Sequence, residues 1–294
     1  MALDFPFELD DFQRVSIACL ERKESILVAA HTSAGKTTIA EYAIALSKRE
    51  NLRVIYTSPI KALSNQKYRD FKLRFKELEV EVGLITGDVK TDPNSSCLVV
   101  TTEILHSMIS TDSLMSDVGW VIFDEIHYME HQERGIVWEE SIILLPPSIK
   151  MVFLSATMSN AREFADWVCM LHKKPCHVVF TDFRPTPLEH YVFASGGSGF
   201  HLIADQDGRF NEENLMSAQS IFTKRENNLE KREAADSDIQ TVVKAIKEHH
   251  LLPVIFFSFS RKECENHAES LELDYNTEED KTDIGRIVQA ATDT

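Results

Sequence analysis

Residues 26–37 read ILVAAHTSAGKT, an apolar run that leads through small residues into Lys36-Thr37. The apolar run predicts a buried strand and residues 37–48 have helical spacing, so the small residues form the turn between the two. Small residues let backbone N–H groups point inward around phosphates, and the helix N-terminus attracts the same negative charge. Gly35-Lys36-Thr37 in this context predicts a nucleotide phosphate site rather than a simple helix cap.

A second apolar run, at residues 120–123, ends in the paired carboxylates Asp124 and Glu125. Acidic residues also favour helix starts, but after a phosphate loop that interpretation is the minor one. We expect Thr37 and Asp124 to bind Mg²⁺, because phosphoryl transfer needs a held metal ion. Lys36 is expected to reach the phosphates of ATP, and Glu125 to orient or deprotonate the attacking water. The predicted catalytic residues are therefore Lys36, Asp124 and Glu125.

Short Val/Ile/Leu/Phe-rich runs alternate with helical patterns from residue 25 to residue 181, which is typical of an α/β fold with a parallel sheet and helices on both faces. The predicted strands are residues 26–30, 54–57, 82–86, 98–101, 121–124, 151–155 and 178–181. The predicted helices include residues 37–48, 63–75, 137–145 and 161–170.

Polar residues follow several of these predicted strands, at the sheet edge where open α/β sheets bind ligands. Hydroxyls, a lysine and helix N-termini suit contacts to a phosphate backbone; the residues concerned are Pro59, Lys61, Thr101 and Thr102. Ser155 and Thr157 flank the end of another strand, where we expect their hydroxyls to bridge to His127 and report the nucleotide state.

The pattern changes after Pro185 and Pro187. We predict a first domain at 1–190, a connector at 191–238 and an incomplete second domain at 239–294. A Gly/Ser-rich run at 195–199 and a turn signal at 205–208 predict a hairpin, followed by a flexible polar stretch. Helices at 239–250 and 261–271 and a strand at 254–258 follow. One strand cannot complete an α/β domain, so we expect a shortened protein.

The composition of the 294 residues, 43% hydrophobic and 27% charged, is that of a globular protein. Without an apolar run of about 20 residues or a secretory leader, we expect an intracellular protein away from membranes. Five cysteines without a C-x-x-C pair disfavour a disulfide framework or a zinc site. The net charge of −16 argues against a broad basic nucleic-acid footprint. Any nucleic acid would be held by a local strip; its basic residues are Lys61, Lys67, Arg69, Lys72, Arg74 and Lys76.

The ordered motifs resemble those of superfamily 2 helicases of the DExH-box class, which implies RecA-like domains. The motifs are Phe12-Gln13, AHTSAGKT at 30–37, TSPIKALSNQK at 57–67, TGD at 86–88, TTEIL at 101–105, DEIH at 124–127 and SAT at 155–157. The resemblance implies that Phe12 and Gln13 recognise adenine. It further implies an ATP-binding loop of Ala30, His31, Thr32, Ser33, Ala34, Gly35, Lys36 and Thr37, coupling by Ser155 and Thr157, and RNA contacts by Pro59, Lys61, Thr101 and Thr102.

Further segments resemble the exosome-associated RNA helicases of this class: residues 133–140, 181–191, 200–205 and 256–265. The last three are similar to the nuclear branch, which works with a polyadenylation complex. The resemblance implies ATP-driven 3′-to-5′ unwinding of RNA with single-stranded 3′ ends, delivery to the RNA exosome, polyadenylation-complex adaptors as partners, and a nuclear location.

Three alternatives stay open on the sequence alone. The first is the cytoplasmic superkiller branch of the same helicases, and the second is a DNA-translocating relative, because backbone contacts alone do not read the 2′-hydroxyl. The third is a non-catalytic, nucleotide-dependent binding module. The class carries an arginine segment in its second domain that is absent here, and such a residue is worth ~10³ or more in rate. We therefore expect this chain to bind ATP and hydrolyse it poorly.

Overall fold

A computed structural model describes residues 2–131, 134–194, 197, 199–226, 235–271 and 276–292 of the chain. It divides into two units, Met1–Thr186 and Pro187–Thr294. None of the described helices combines the length and apolar composition that a bilayer span requires.

The first unit is built on one eight-stranded sheet. Its strands are β1 (Ser25–Ala30), β2 (Arg53–Ser58), β3 (Val82–Ile85), β4 (Lys90–Thr91), β5 (Cys97–Thr101), β6 (Val118–Phe123), β7 (Lys150–Ser155) and β8 (Cys176–Thr181). They lie in the order β4-β3-β5-β2-β6-β7-β1-β8, and each described pairing is parallel except β3 with β4. Strands β1, β5 and β6 are buried at every residue, which explains their continuous apolar runs.

Helices cover both faces of this sheet. They are α1 (Asp11–Glu21), α2 (Thr37–Arg49), α3 (Lys61–Arg74), α4 (Thr102–Ile109), α5 (Asp112–Met115), α6 (Gly135–Leu144) and α7 (Ala161–His172), with a 3₁₀ helix at Ile126–Glu130. One core cluster joins β1 residues Ile26 and Val28 to α1, α2 and α3, and the other joins Leu27 to α4, α6 and α7. Alternate residues of β1 thus face opposite layers, and the predicted α/β fold is confirmed.

The second unit begins with an antiparallel hairpin of β9 (His190–Phe193) and β10 (Phe200–Ala204), with Phe193 opposite Phe200. A turn follows in which the Gly208 N–H donates to the Asp205 carbonyl over 2.9 Å. Gly208 has φ +76°, a conformation that favours glycine. The helices are α8 (Glu212–Glu226), α9 (Ala235–Glu248), α10 (Arg261–Ser270) and α11 (Glu278–Thr292). Of the Gly/Ser-rich run at 195–199, residues 195, 196 and 198 lie outside the described part.

Two sequence predictions differ from the structure in this unit. The strand predicted at 254–258 is wrong: the segment is not a strand, and Ile255 and Phe257 are 76% and 90% exposed. An apolar run becomes a strand only when a neighbour completes its hydrogen bonds, and β9 and β10 pair with each other. The polar stretch predicted as flexible contains α8, whose start is stabilised by the Asn211 Oδ1 atom accepting the Asn214 N–H over 3.0 Å. Residues 227–234 lie outside the described part.

Candidate active site

The loop between β1 and α2 has the curled backbone that a phosphate site requires. Ser33 and Gly35 both have positive φ, 68° and 87°, and the Ala34 N–H donates back to the His31 carbonyl over 3.2 Å. The φ of Gly35 favours glycine, and a Cβ at this position would lie 2.7 Å from Gln13 Nε2, so the Gln13 side chain would have to shift. Left-handed residues in such a loop turn successive N–H groups toward one concave side.

Lys36 is folded over this loop. Its Nζ donates to the carbonyls of Ala30 and His31 at 2.8 and 3.1 Å. Burial lowers the pKa of Lys36, and the nearby charges of Glu125 and Asp124 act in the opposite direction. The lysine ammonium therefore lies close enough to both carboxylates to interact with them electrostatically.

Asp124 follows directly on β6 and is only 8% exposed. Its backbone N–H donates to the Thr57 carbonyl over 2.9 Å, which continues the pairing of β6 with β2. Its Oδ1 accepts the Glu125 N–H at 3.1 Å, and its Oδ2 accepts the hydroxyl of Tyr56. Each carboxylate oxygen thus has one protein donor, which holds the group in one orientation.

Glu125 has a left-handed backbone, with φ 56° and ψ 45°, which is uncommon outside glycine and often marks functional residues. Burial raises the pKa of Glu125, and the neighbouring Asp124 charge raises it further. Its Oε2 lies 3.4 Å from the His127 Nδ1 atom. A carboxylate with a raised pKa is a better proton acceptor, which suits a group that activates water.

Gln13 fastens α1 to the phosphate loop. Its Oε1 accepts the Asp10 N–H at 3.0 Å, while its Nε2 donates to the Gly35 carbonyl at 3.1 Å. Gln13 and Phe12 are 4% and 7% exposed, and Phe12 packs in the core cluster with α1 and α2. The structure therefore places Gln13 in contact with the phosphate loop and Phe12 in the hydrophobic core between α1 and α2.

His127 meets the segment 155–157 through the backbone. The Ala156 N–H donates to His127 Nδ1 over 3.4 Å, whereas the buried Ser155 hydroxyl has no hydrogen-bond partner among the described residues. Thr157 is exposed. The predicted coupling residues are brought together, but by the main chain of Ala156 rather than by a hydroxyl bridge.

The predicted RNA-contacting residues follow β2 and β5, and β2 lies between β5 and β6, the strand that ends before Asp124. Ser58 at the end of β2 is paired with Thr101 at the end of β5. Lys61 is exposed, and its Nζ lies 2.5 Å from Asp88 Oδ2. Pro59, Thr101 and Thr102 are buried, so α4 presents its N-terminal backbone there rather than the threonine hydroxyls.

Two further residues of the site have no signal in sequence spacing. Tyr56 reaches Asp124 across 68 positions of chain, and the Lys67 Nζ donates to the Thr37 Oγ1 atom over 3.0 Å. The sequence grouped Lys67 with a basic strip for nucleic acid, whereas the structure places its ammonium at the phosphate loop. Both residues come from the β2–α3 segment, which only the sheet order brings next to β6.

Another side-chain cluster lies near the start of β1 and β8. The ligand atoms of Cys19, Glu24 and His177 all lie within 4.8 Å of one another. Arg22 already supplies a positive charge there, donating to Glu24 Oε2 at 2.7 Å and to Cys19 Sγ at 3.2 Å. We interpret the cluster as a local ion-pair network.

Comparison with known proteins gives matches over most of the chain. Residues 10–164 match the family description DEAD/DEAH box helicase. The DExH-box ATP-dependent RNA helicase DExH10 of Arabidopsis thaliana is 57% identical over 99% of this chain and 31% of its own length. The human exosome RNA helicase MTR4 is 52% identical over 99% of this chain and 28% of its own length. The human superkiller complex protein 2 is 43% identical over 98% of this chain and 24% of its own length.

The chain thus spans less than a third of the length of these relatives. Among solved structures, the crystal structure of the DUF1998 helicase MrfA superposes with a TM-score of 0.60, covering 96% of this chain and 40% of that one. At 17% identity this likeness concerns the fold alone.

Proposed function

The chain belongs to the DEAD/DEAH box helicase family, and we propose that it carries the ATP-binding part of a 3′-to-5′ RNA helicase of the nuclear exosome pathway. The proposal rests on one observation: Lys36 lies close to Asp124 and Glu125, beside the curled loop that joins β1 to α2. Helicases of this family use ATP with a divalent metal, and the curated relatives named above are RNA helicases or an exosome-linked complex protein by name.

We propose Mg²⁺ as the divalent metal and Thr37 and Asp124 as its protein ligands. A hydroxyl and a carboxylate oxygen are donors that hard divalent cations prefer, and Asp124 keeps lone pairs free beyond its two hydrogen bonds. The donor set therefore fits the ion, which neutralises charge on the phosphate oxygens when bound. The ammonium of Lys36, held against the loop carbonyls, is placed to exchange them for phosphate oxygens of ATP.

Glu125 is the proposed acceptor of the proton from the attacking water. Its raised pKa makes it more basic than an exposed glutamate, and its left-handed backbone turns it away from the line of β6. The contact of His127 with Ala156 then offers a route from Glu125 to the segment at 155–157. We propose that this segment couples nucleotide state to RNA contact.

RNA is proposed to contact the protein at the carboxyl ends of β2 and β5. Lys61 supplies an exposed positive charge there and the N-terminus of α4 supplies backbone donors. The net charge of −16 requires that such contacts be local. Because the relatives are much longer than this chain, we propose unwinding for a whole protein of this kind, and ATP binding with slow turnover for the chain itself.

The exosome, its polyadenylation-complex adaptors and a nuclear location are part of the proposal. The higher identity to the exosome RNA helicase MTR4 than to superkiller complex protein 2 supports the nuclear branch. The 43% identity to the latter keeps the cytoplasmic branch as the second candidate. A fluorescent fusion expressed in a eukaryotic cell separates the two: nuclear signal supports the first, and an exclusively cytoplasmic signal supports the second.

The direct test is nucleotide binding and hydrolysis by the purified chain, with and without single-stranded RNA or single-stranded DNA of the same sequence. Lys36→Ala should abolish binding of fluorescent ADP, whereas Lys48→Ala should not, because Lys48 lies at the other end of α2 and contacts the Glu79 carbonyl. Equal nucleotide binding by Lys36→Ala and the unmodified chain would overturn the proposed site. Stimulation by DNA but not by RNA would overturn the RNA assignment.

A further inference from the structure

Tyr56 is a fully buried residue that contacts Asp124, the first of the paired carboxylates. It is 0% exposed in β2, and its ring packs edge-on against Phe71 with centroids 5.0 Å apart. A phenol hydroxyl buried in this way needs a hydrogen-bond partner. That partner is Oδ2 of Asp124, on the neighbouring strand β6.

The hydrogen bonds of Asp124 divide between its two oxygens. Tyr56 donates to Oδ2, and the Glu125 N–H donates to Oδ1 at 3.1 Å. The Asp124 backbone N–H is itself held by the Thr57 carbonyl at 2.9 Å. Strand β2 therefore holds Asp124 by its main chain and by its side chain, and the plane of the carboxylate is determined by the protein before any ligand binds.

We propose that Tyr56 is a positioning residue that holds the Asp124 carboxylate in the orientation that receives the divalent metal of the nucleotide, an inference that rests on the proposed function. A metal-binding carboxylate is commonly oriented by a hydrogen-bond donor behind it, and loss of that donor weakens metal affinity. A tyrosine hydroxyl is protonated in the physiological range, so Tyr56 is present as a hydrogen-bond donor to Asp124.

The structure offers a matched comparison at Tyr42. Tyr42 is also 0% exposed, and its hydroxyl also donates to a carboxylate, that of Glu21 at the end of α1. Glu21 is paired with Arg49 rather than with the residues of the phosphate loop. Tyr42→Phe and Tyr56→Phe thus each remove a buried hydroxyl that donates to a carboxylate, once away from the proposed metal ligands and once against one of them. The Tyr42 hydroxyl also accepts the Ala2 N–H at 2.9 Å, so Tyr42→Phe removes at least as many contacts.

The experiment measures the affinity of the full chain for fluorescent ADP, once with magnesium and once with a chelator. The ratio of the two dissociation constants gives the gain in affinity that the metal provides. Tyr56→Phe should lower this gain about tenfold while affinity in the chelator stays the same. Tyr42→Phe should leave both values unchanged. Asp124→Asn should abolish the gain, and adding Tyr56→Phe to it should have no further effect.

Three results would overturn the inference. If Tyr56→Phe leaves the gain in affinity from magnesium unchanged, the hydroxyl has no part in positioning the metal ligand. Equal loss of affinity with magnesium and with chelator would mean that the pocket as a whole is disturbed. If the unmodified chain itself shows no magnesium gain, the proposed function fails, and this inference fails with it; the first two results leave the proposed function intact.

A second measurement does not depend on folding of the Phe variant. A fluorine label on the ring of Tyr56 gives a ¹⁹F resonance that should shift when ADP and magnesium are added together, and much less when ADP is added with chelator. The same label on Tyr42 should not shift in either case. Equal shifts with and without magnesium at position 56 would overturn the inference.

Discussion

The ammonium of Lys67 donates a hydrogen bond to the hydroxyl of Thr37 at 3.0 Å, so a second lysine stands beside Lys36 at the phosphate loop. The pKa of Lys36 is lowered mainly by burial, and the charge of Lys67 adds to that effect. Two lysines and two carboxylates therefore balance one another where the charges of a nucleotide and its metal ion are proposed to lie.

Lys67→Met should lower the affinity for ATP about tenfold, because it removes a positive charge beside the loop proposed to receive the phosphates. The measurement is a titration with fluorescent nucleotide at constant ionic strength. Lys72→Met is the matched control: Lys72 lies on the same helix, but its Nζ donates to Tyr68 at the surface. If the two variants bind alike, Lys67 contributes nothing specific to the site.

Glu125→Gln should make the first unit more stable at neutral pH. Burial and the Asp124 charge raise the pKa of Glu125, so ionisation costs free energy in the folded protein. For a carboxyl with a raised folded pKa, this cost is absent below the unfolded pKa and grows as pH rises toward the folded pKa. The side chain is 35% exposed, so solvent screening limits the gain to about 1–2 °C in Tm.

Thermal unfolding of both proteins across the slightly acidic to neutral range checks this sign. The advantage of Glu125→Gln should grow with pH, while ATP hydrolysis is lost. Glu130→Gln serves as the comparison, because Glu130 is the last residue of the 3₁₀ helix that Glu125 precedes and is not adjacent to Asp124. An advantage that shrinks with pH would contradict the proposed electrostatic cause.

Gly35→Ala should destroy nucleotide binding and destabilise the first unit. Its φ of +87° costs an L-residue roughly 1–2 kcal/mol, and the added Cβ would lie 2.7 Å from Gln13 Nε2. Gly208→Ala isolates the backbone contribution, because Gly208 has φ +76° with no atom within 4 Å of its Cβ position. Calorimetry and ADP titration of both variants separate backbone strain from steric conflict with Gln13. Equal destabilisation of the two variants would show that the Gln13 side chain moves aside without cost.

Ser155→Ala should leave the fold intact or slightly more stable. The Ser155 hydroxyl is buried without a partner among the described residues, and such a group costs free energy that alanine does not. Ser58→Ala, which removes a buried hydroxyl that bonds Ser64 at 2.8 Å, should instead destabilise by about 1 kcal/mol. ADP binding should survive Ser155→Ala, because the contact between this segment and His127 is made by the Ala156 N–H. Marked destabilisation by Ser155→Ala would indicate a bonded hydroxyl.

Lys61 and Asp88 should have opposite effects on RNA affinity. Lys61→Ala removes an exposed charge at the proposed RNA edge and should weaken binding, with the salt slope falling by about 0.7. Asp88→Asn should strengthen binding, because it releases Lys61 from a contact of 2.5 Å. Filter binding at several salt concentrations measures both, with Lys48→Ala as the control, because Lys48 lies outside the basic strip and donates to the Glu79 carbonyl. Parallel changes in the two variants would exclude the proposed competition.

The elements of the first unit were predictable because each depends on neighbours in the chain. The apolar run before Lys36 predicts β1, and the run before Asp124 predicts β6, although β6 begins at Val118 rather than at residue 121. The strand predicted at 254–258 was wrong because an apolar run carries no information about whether a partner strand is present. The backbone contact of His127 with Ala156, in place of a hydroxyl bridge, depends on the packing of two separate turns.

By itself, the sequence determined the phosphate loop, the paired carboxylates and the alternation of strands and helices, since these follow from local residue types and spacing. Only the tertiary structure decided which strands are neighbours. The order β2-β6-β7-β1 brings Tyr56 to Asp124 and Lys67 to Thr37, across 68 and 30 positions of chain. The physical reason is that hydrogen bonds and charges act over a few ångströms in space, whereas local patterns extend over a few residues along the chain.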